Sequence, residues 1–153
     1  MSVIESRLAE LGISLPDAPA PAANYVPYVV QGNTVIVSGQ ISSNADGLLT
    51  GKLGQDMDVE AGAAAAKSCA ISLLAQVKAA CGGDLDRLQR VLKLTAFVNS
   101  TPDFTDQPKV VNGASDFLVE ALGDAGRHAR SAVSAASLPL GVAVEIEGFF
   151  EIK

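Results

Sequence analysis

The chain has 153 residues, 48% of them hydrophobic and 18% charged, with a mean hydropathy of +0.29 and a net charge of −6. That length suits one domain with a real core, and so apolar a chain must bury much of its surface there or against another subunit. The acidic balance without a basic stripe argues against a nucleic-acid binder, and the nearest thing to a cluster, Arg87, Arg90 and Lys93, reads as a solvated edge.

Ser2 to Leu11 reads as a short amphipathic helix, with Ile4, Leu8 and Leu11 on one face and Gly12 ending it. This start lacks a basic region followed by an apolar run, so it does not read as a signal peptide. From Leu15 to Asn24, three prolines lie among alanines and make an extended tether. Residues 1–22 are thus expected to be helix and tether, and residues 23–153 the domain proper.

Tyr28 to Gln31 and Thr34 to Ser38 are strand-like, with Gly32-Asn33 as the turn between them. Ser42 to Gly54 is a polar, Gly-rich loop with room for one short strand. Asp58 can cap a long helix running to about Ala80, whose face of Val59, Ala63, Ala66, Ala70, Leu73 and Val77 is small enough to sit close on a sheet. Val91 to Val98 is the next strand. A second helix runs from Gln107 to Leu122, with Pro108 tolerated in its first turn. Arg130 to Ala136 and Val142 to Ile152 are the last strands.

Cys69 and Cys81 fall in one predicted helix, roughly 18 Å apart along its axis, too far for a disulfide. No Cys/His metal spacing exists, so no metal is expected, and reduced buried thiols suit the cytoplasm. The apolar stretch Ala63 to Ala80 is broken by Lys67, Ser68, Gln76 and Lys78, so no membrane span is expected. The order of elements predicts an α+β domain: two βαβ-like halves, with both helices on one face of a single sheet. The other face then needs a cover, and a second copy of the chain is the simplest one.

In the last strand, Glu145 and Glu147 share one face with Ala143 and Phe149, while Val142, Val144 and Ile146 share the other. Two carboxylates on so apolar a strand form either an exposed polar face or a carboxylate placed to handle protons. Arg130 lies among small residues, where its planar fork could hold a carboxylate or pair with a surface acid. A tight connection between the last two strands could bring it near Glu145. His128 is the only histidine. With no Cys or Asp partner in view it gives no support for a nucleophilic triad and reads as structural. There is no phosphate loop and no dinucleotide fingerprint.

Taken together, Ser38-Gly39-Gln40-Ile41, Ala129-Arg130-Ser131, Leu138-Pro139 and Val144-Glu145-Ile146-Glu147 resemble the RidA (YjgF-like) family, also called the endoribonuclease L-PSP family, over roughly Ala23 to the C-terminus. The resemblance implies a chorismate-mutase-like α+β fold with one mixed sheet, here with an extra N-terminal helix. It implies a homotrimer with ligand pockets at the subunit interfaces, and no cofactor. It also implies hydrolysis of reactive enamines and imines, such as 2-aminoacrylate, to 2-keto acids and ammonia. On that pattern Arg130 holds the substrate carboxylate and Glu145 positions or activates water. Tyr25, Ser38 and Asn112 line the pocket. Ala132 stands where deaminating members often have cysteine, and His128 where proline is common. These departures resemble a divergent subgroup and keep a second reading open, a non-catalytic protein that binds a small carboxylate metabolite. A ribonuclease is disfavoured by the charge and the single histidine.

Overall fold

In the computed structural model, which describes residues 2–153, the first helix is built from local signals. Helix α1 (Val3–Glu10) starts at Ser2, whose hydroxyl accepts a hydrogen bond from the Glu5 amide at 3.0 Å. The Asp86 carboxylate, far along the chain, accepts from the amides of Val3 (2.9 Å) and Ile4 (3.1 Å). These are donors that no helix can satisfy internally. Leu8 is buried in the main core, and Glu5 forms an ion pair with Lys78. The N-terminal helix is therefore clamped to the body.

From Gly12 to Pro27 there is no helix or strand. Ile13 and Leu15 pack on the core, and the buried Gln76 donates its amide to the Pro19 carbonyl at 2.6 Å. The tether thus lies along the body as a strap. Strands β1 (Tyr28–Gln31) and β2 (Thr34–Ile41) form the first hairpin, with Gly32 at φ 60 in the turn where an ordinary side chain would be strained. The polar stretch that follows holds two short strands, β3 (Ser43–Asn44) and β4 (Gly47–Leu48), where the sequence suggests one.

Helix α2 (Val59–Ala80) begins at Asp58, whose carboxylate accepts from the Ala61 amide at 2.8 Å. Strand β5 (Leu88–Asn99) is longer than its predicted core, and helix α3 (Gln107–Leu122) spans the predicted range. The two helices pack so closely that a Cβ on Gly113 would lie 2.0 Å from the Ala63 carbonyl oxygen. Small residues on α2 make that approach possible. Strands β6 (Ala129–Ala135) and β7 (Val144–Ile152) complete the chain. Cys69 and Cys81 are free and buried. No helix of the described residues is long and apolar enough to cross a membrane.

The main sheet runs β1-β2-β7-β5-β6, antiparallel except for the β5–β6 pair. It is the single mixed sheet of an α+β fold that the element order predicts. β5, α3 and β6 form a complete βαβ unit. The first half is split, because β7 inserts between β2 and β5. The core fills the space between the sheet and the two helices, where Val35, Leu73, Leu94, Leu118, Ile146 and Phe150 are fully buried. Each such side chain contributes about 1.5–3 kcal/mol by leaving water. The opposite face has no helix on it. It presents Ile36 (39% exposed), Val133 (45%) and Phe149 (40%) beside Phe97, Thr95, Glu145 and Glu147.

Candidate functional site

The alternation of β7 decides where its carboxylates go. Val144, Ile146, Gly148 and Phe150 face the helices, so Glu145 and Glu147 face the uncovered side, as the sequence pattern indicates. Glu145 is half-buried. Desolvation, with a smaller contribution from the Glu147 charge, holds its carboxyl above the ordinary carboxylate range. Its side chain lies over Gly39, where a Cβ would meet the carboxylate oxygen at 2.3 Å. Gly39 sits where the β2–β7 register shifts, between Val37 and Gln40. The glycine of the Ser38-Gly39-Gln40 triplet thus makes room for the acid.

β1 pairs with β2 as far as Val37 and the Ser38 amide still donates to the Pro27 carbonyl at 2.9 Å, leaving the edge beyond Ser38 without a strand partner. Here a cavity of about 480 Å³ opens between that edge and the strap, lined by Pro19 to Ala23, Tyr25, Gly39, Gln40, Leu140 and Glu145. Tyr25 is exposed on the strap, its hydroxyl accepting from the Ala22 amide at 3.4 Å. Ser38 is not on the cavity wall. It holds the strap's end, its hydroxyl donating to the Val26 carbonyl at 2.8 Å. Gln76 ties the wall together by donating to Pro19 and, at 3.4 Å, to Gln40. The sequence signal for Gln76 is a polar residue amid the apolar run of α2.

Arg130 lies elsewhere. It pairs in register with Leu94, which faces the helices, and its guanidinium reaches toward α3. Nη1 donates to the Ser115 hydroxyl at 3.0 Å and Nη2 to the Pro108 carbonyl at 3.1 Å. A guanidinium carries five N–H groups, so about three remain for a ligand. Among the described residues no carboxylate forms an ion pair with it; the ion-paired cations are Arg7, Lys78, Lys109 and Arg127. Pro108, Asn112 and Ser115 follow helical spacing along α3, so Asn112, which is exposed, sits on the stripe that Arg130 grips. Ala132 is two residues along β6 on the same face and pairs with the buried Ala96.

The tight connection expected to bring Arg130 to Glu145 does not do so. β5 lies between β6 and β7, and the two side chains leave the sheet on opposite faces. Two strand spacings alone separate them by about 10 Å. The six predicted residues thus form two groups within one chain: Arg130, Asn112 and Ala132 at the β6–α3 edge, and Tyr25, Ser38 and Glu145 at the β2–β7 edge. Among the described residues no His/Cys/Asp/Glu group could hold a metal.

A mixed five-stranded sheet backed on one face by two helices places this chain among the chorismate-mutase-like α+β proteins. More narrowly, the family model described as "YjgF/chorismate_mutase-like, putative endoribonuclease" matches residues 5–152, and the chain belongs to that family. It is 50% identical to "Protein TCP17" of Trypanosoma cruzi over 160 residues, covering 100% of this chain and 99% of that one. The crystal structure of Atu1372 from Agrobacterium tumefaciens, a protein described as of unknown function, is 49% identical, with a TM-score of 0.91 over 99% of this chain and 94% of that one. The YjgF gene product of E. coli is 33% identical, with a TM-score of 0.63 over 90% of this chain and 94% of that one. The fold is thus shared over nearly the whole chain with the first structure, and more loosely over most of it with the second.

Proposed function

We propose that this protein hydrolyses reactive enamines and imines bearing a carboxylate, of the 2-aminoacrylate kind, to 2-keto acids and ammonia. The observation that carries this reading is Arg130, a half-buried cation with no acid partner and free N–H groups at a fixed position. Such a fork takes a carboxylate through two parallel hydrogen bonds. An enamine first tautomerises to the imine, its terminal carbon gaining a proton as the nitrogen loses one, and water then adds across the C=N bond. Glu145 takes a proton from the water and returns one to the nitrogen, and the carbinolamine collapses to the keto acid and ammonia. A carboxyl held above its usual range is suited to both transfers near neutral pH. No cofactor is needed for these steps.

Because Arg130 and Glu145 stand apart in one chain, this mechanism needs them from two copies. We therefore propose a homo-oligomer, a homotrimer on the family pattern, whose contacts cover the open sheet face and complete the site. A cytoplasmic location goes with this reading, since such intermediates arise in metabolism there. Ala132, which supplies no side-chain chemistry, favours a second reading in which the same groups bind a small carboxylate without turnover. The ribonuclease named in the family description has little support in a chain of net charge −6 with one histidine.

The test is keto-acid release from a serine or threonine dehydratase that generates the imine, with semicarbazide as the competing trap. Wild type should accelerate release, and Arg130→Ala should not. Full activity in Arg130→Ala would reject the mechanism. Saturable keto-acid binding without acceleration would establish the second reading.

A further inference from the structure

His128 and Ser115 were not part of the family pattern, yet they meet at Arg130. The ring Nδ1 of His128 lies 2.6 Å from the Gly126 carbonyl oxygen. A carbonyl can only accept, so Nδ1 carries the hydrogen and Nε2 of the neutral ring is an acceptor. Nε2 lies 2.9 Å from the Ser115 hydroxyl, which must therefore donate to it. That leaves the Ser115 oxygen free to accept, and Arg130 Nη1 donates to it at 3.0 Å. Every group in this chain of bonds has one role and every role is filled. The chain starts on a cation and ends on a backbone carbonyl.

We propose that Ser115 and His128 are positioning residues for Arg130, and that their directed hydrogen-bond chain fixes the guanidinium in the orientation that presents its free N–H groups to a ligand carboxylate. This rests on the reading of Arg130 as the carboxylate anchor and says how the anchor is held. Burial, the largest influence, keeps the ring neutral, as the chain of bonds requires; the Gly126 carbonyl pulls the other way, and the adjoining Arg130 charge adds a smaller push in the direction of burial. Apart from Lys93 on β5, half-buried and paired in register with Ala129, the other charges on surrounding elements are engaged elsewhere or exposed. Asp124 and Arg127 pair with each other at 3.4 Å, Arg90 on β5 bonds the Arg127 carbonyl, and Asp116 and Glu120 on α3 are exposed.

Because His128 is the only histidine, nitrogen-15 NMR of its ring is free of overlap. At pH 8 the Nδ1–H tautomer is expected, with the two Arg130 Nη signals resolved by hindered rotation; in Ser115→Ala they should merge. Pyruvate serves as the binding probe. Ser115→Ala should bind it about tenfold more weakly, as expected for a lost bond to a charged group. Ser115→Thr, which keeps the hydroxyl, should stay within about twofold of wild type, and melting temperatures guard against misfolding. An Nε2–H tautomer, or unchanged pyruvate affinity in Ser115→Ala, overturns the proposal. If wild type shows the tautomer and the resolved signals but binds no pyruvate, the carboxylate reading fails while the positioning chain stands.

Discussion

The two halves of the candidate site are built in opposite ways. At the β6–α3 edge, one arginine on a strand is fixed by a helix carbonyl and by a serine on α3, itself bonded to a histidine in the loop just before β6. At the β2–β7 edge, an acid sits over a glycine bulge beneath a strap without helix or strand. On the proposed reading, the comparison teaches that recognition of a common group, a carboxylate, is assigned to a side chain anchored on a strand and a helix. On that reading, the part of the cavity that would meet the rest of a ligand is walled by a segment without helix or strand.

The largest effect should fall on the rigid half. Arg130→Ala should lower kcat/KM in the coupled assay by at least about 100-fold, and Arg130→Lys should recover little, because an ammonium cannot form the two parallel bonds. Next comes the acid. Glu145→Gln should lower kcat by about 10- to 100-fold with KM nearly unchanged, the signature of a group used only in the chemical step. A rise in KM alone would make Glu145 a binding residue and bring the two halves closer in role.

Glu145 also carries a stability signature. Its folded-state pKa is raised, so the folded form is favoured while the carboxyl is protonated, and that advantage is lost as pH rises through the folded value. Melting temperatures of Glu145→Gln should therefore gain on wild type between pH 4 and pH 7. A constant difference across that range would remove the desolvation argument. On the strap, Gln76→Ala should raise KM by about two- to fivefold through loss of the Pro19 and Gln40 bonds, with kcat held. The smallest effect is expected at Leu140, an exposed residue at φ 60 on the cavity rim. Leu140→Gly should stabilise the fold by about 1 kcal/mol, measured by urea unfolding, by relieving left-handed strain.

Much of the fold is legible in the residues because its signals are local. Asp58 and Ser2 cap their helices where the pattern places them, α3 spans the predicted residues, and the alternation of β7 puts Glu145 opposite the core. What local pattern cannot carry is strand order. β7 is last in the chain but central in the sheet, so the short connection after β6 crosses β5 instead of forming a hairpin, and Arg130 and Glu145 part company. The strap shows the same limit. Prolines announce an extended chain, but only Gln76, far along the sequence, decides where it lies. His128 illustrates a third. A lone histidine reads as structural until a helix brings Ser115 beside it.

The strap is also a separable inheritance. Residues 19–23 wall the cavity, yet they belong to no strand and reach the body through one side-chain amide. None of these five positions takes part in a strand pairing of the sheet. On the proposed reading, a lineage can therefore drift in which molecules it accepts while the carboxylate anchor stays as it was, and relatives that keep the core but differ ahead of β1 need not share a diet.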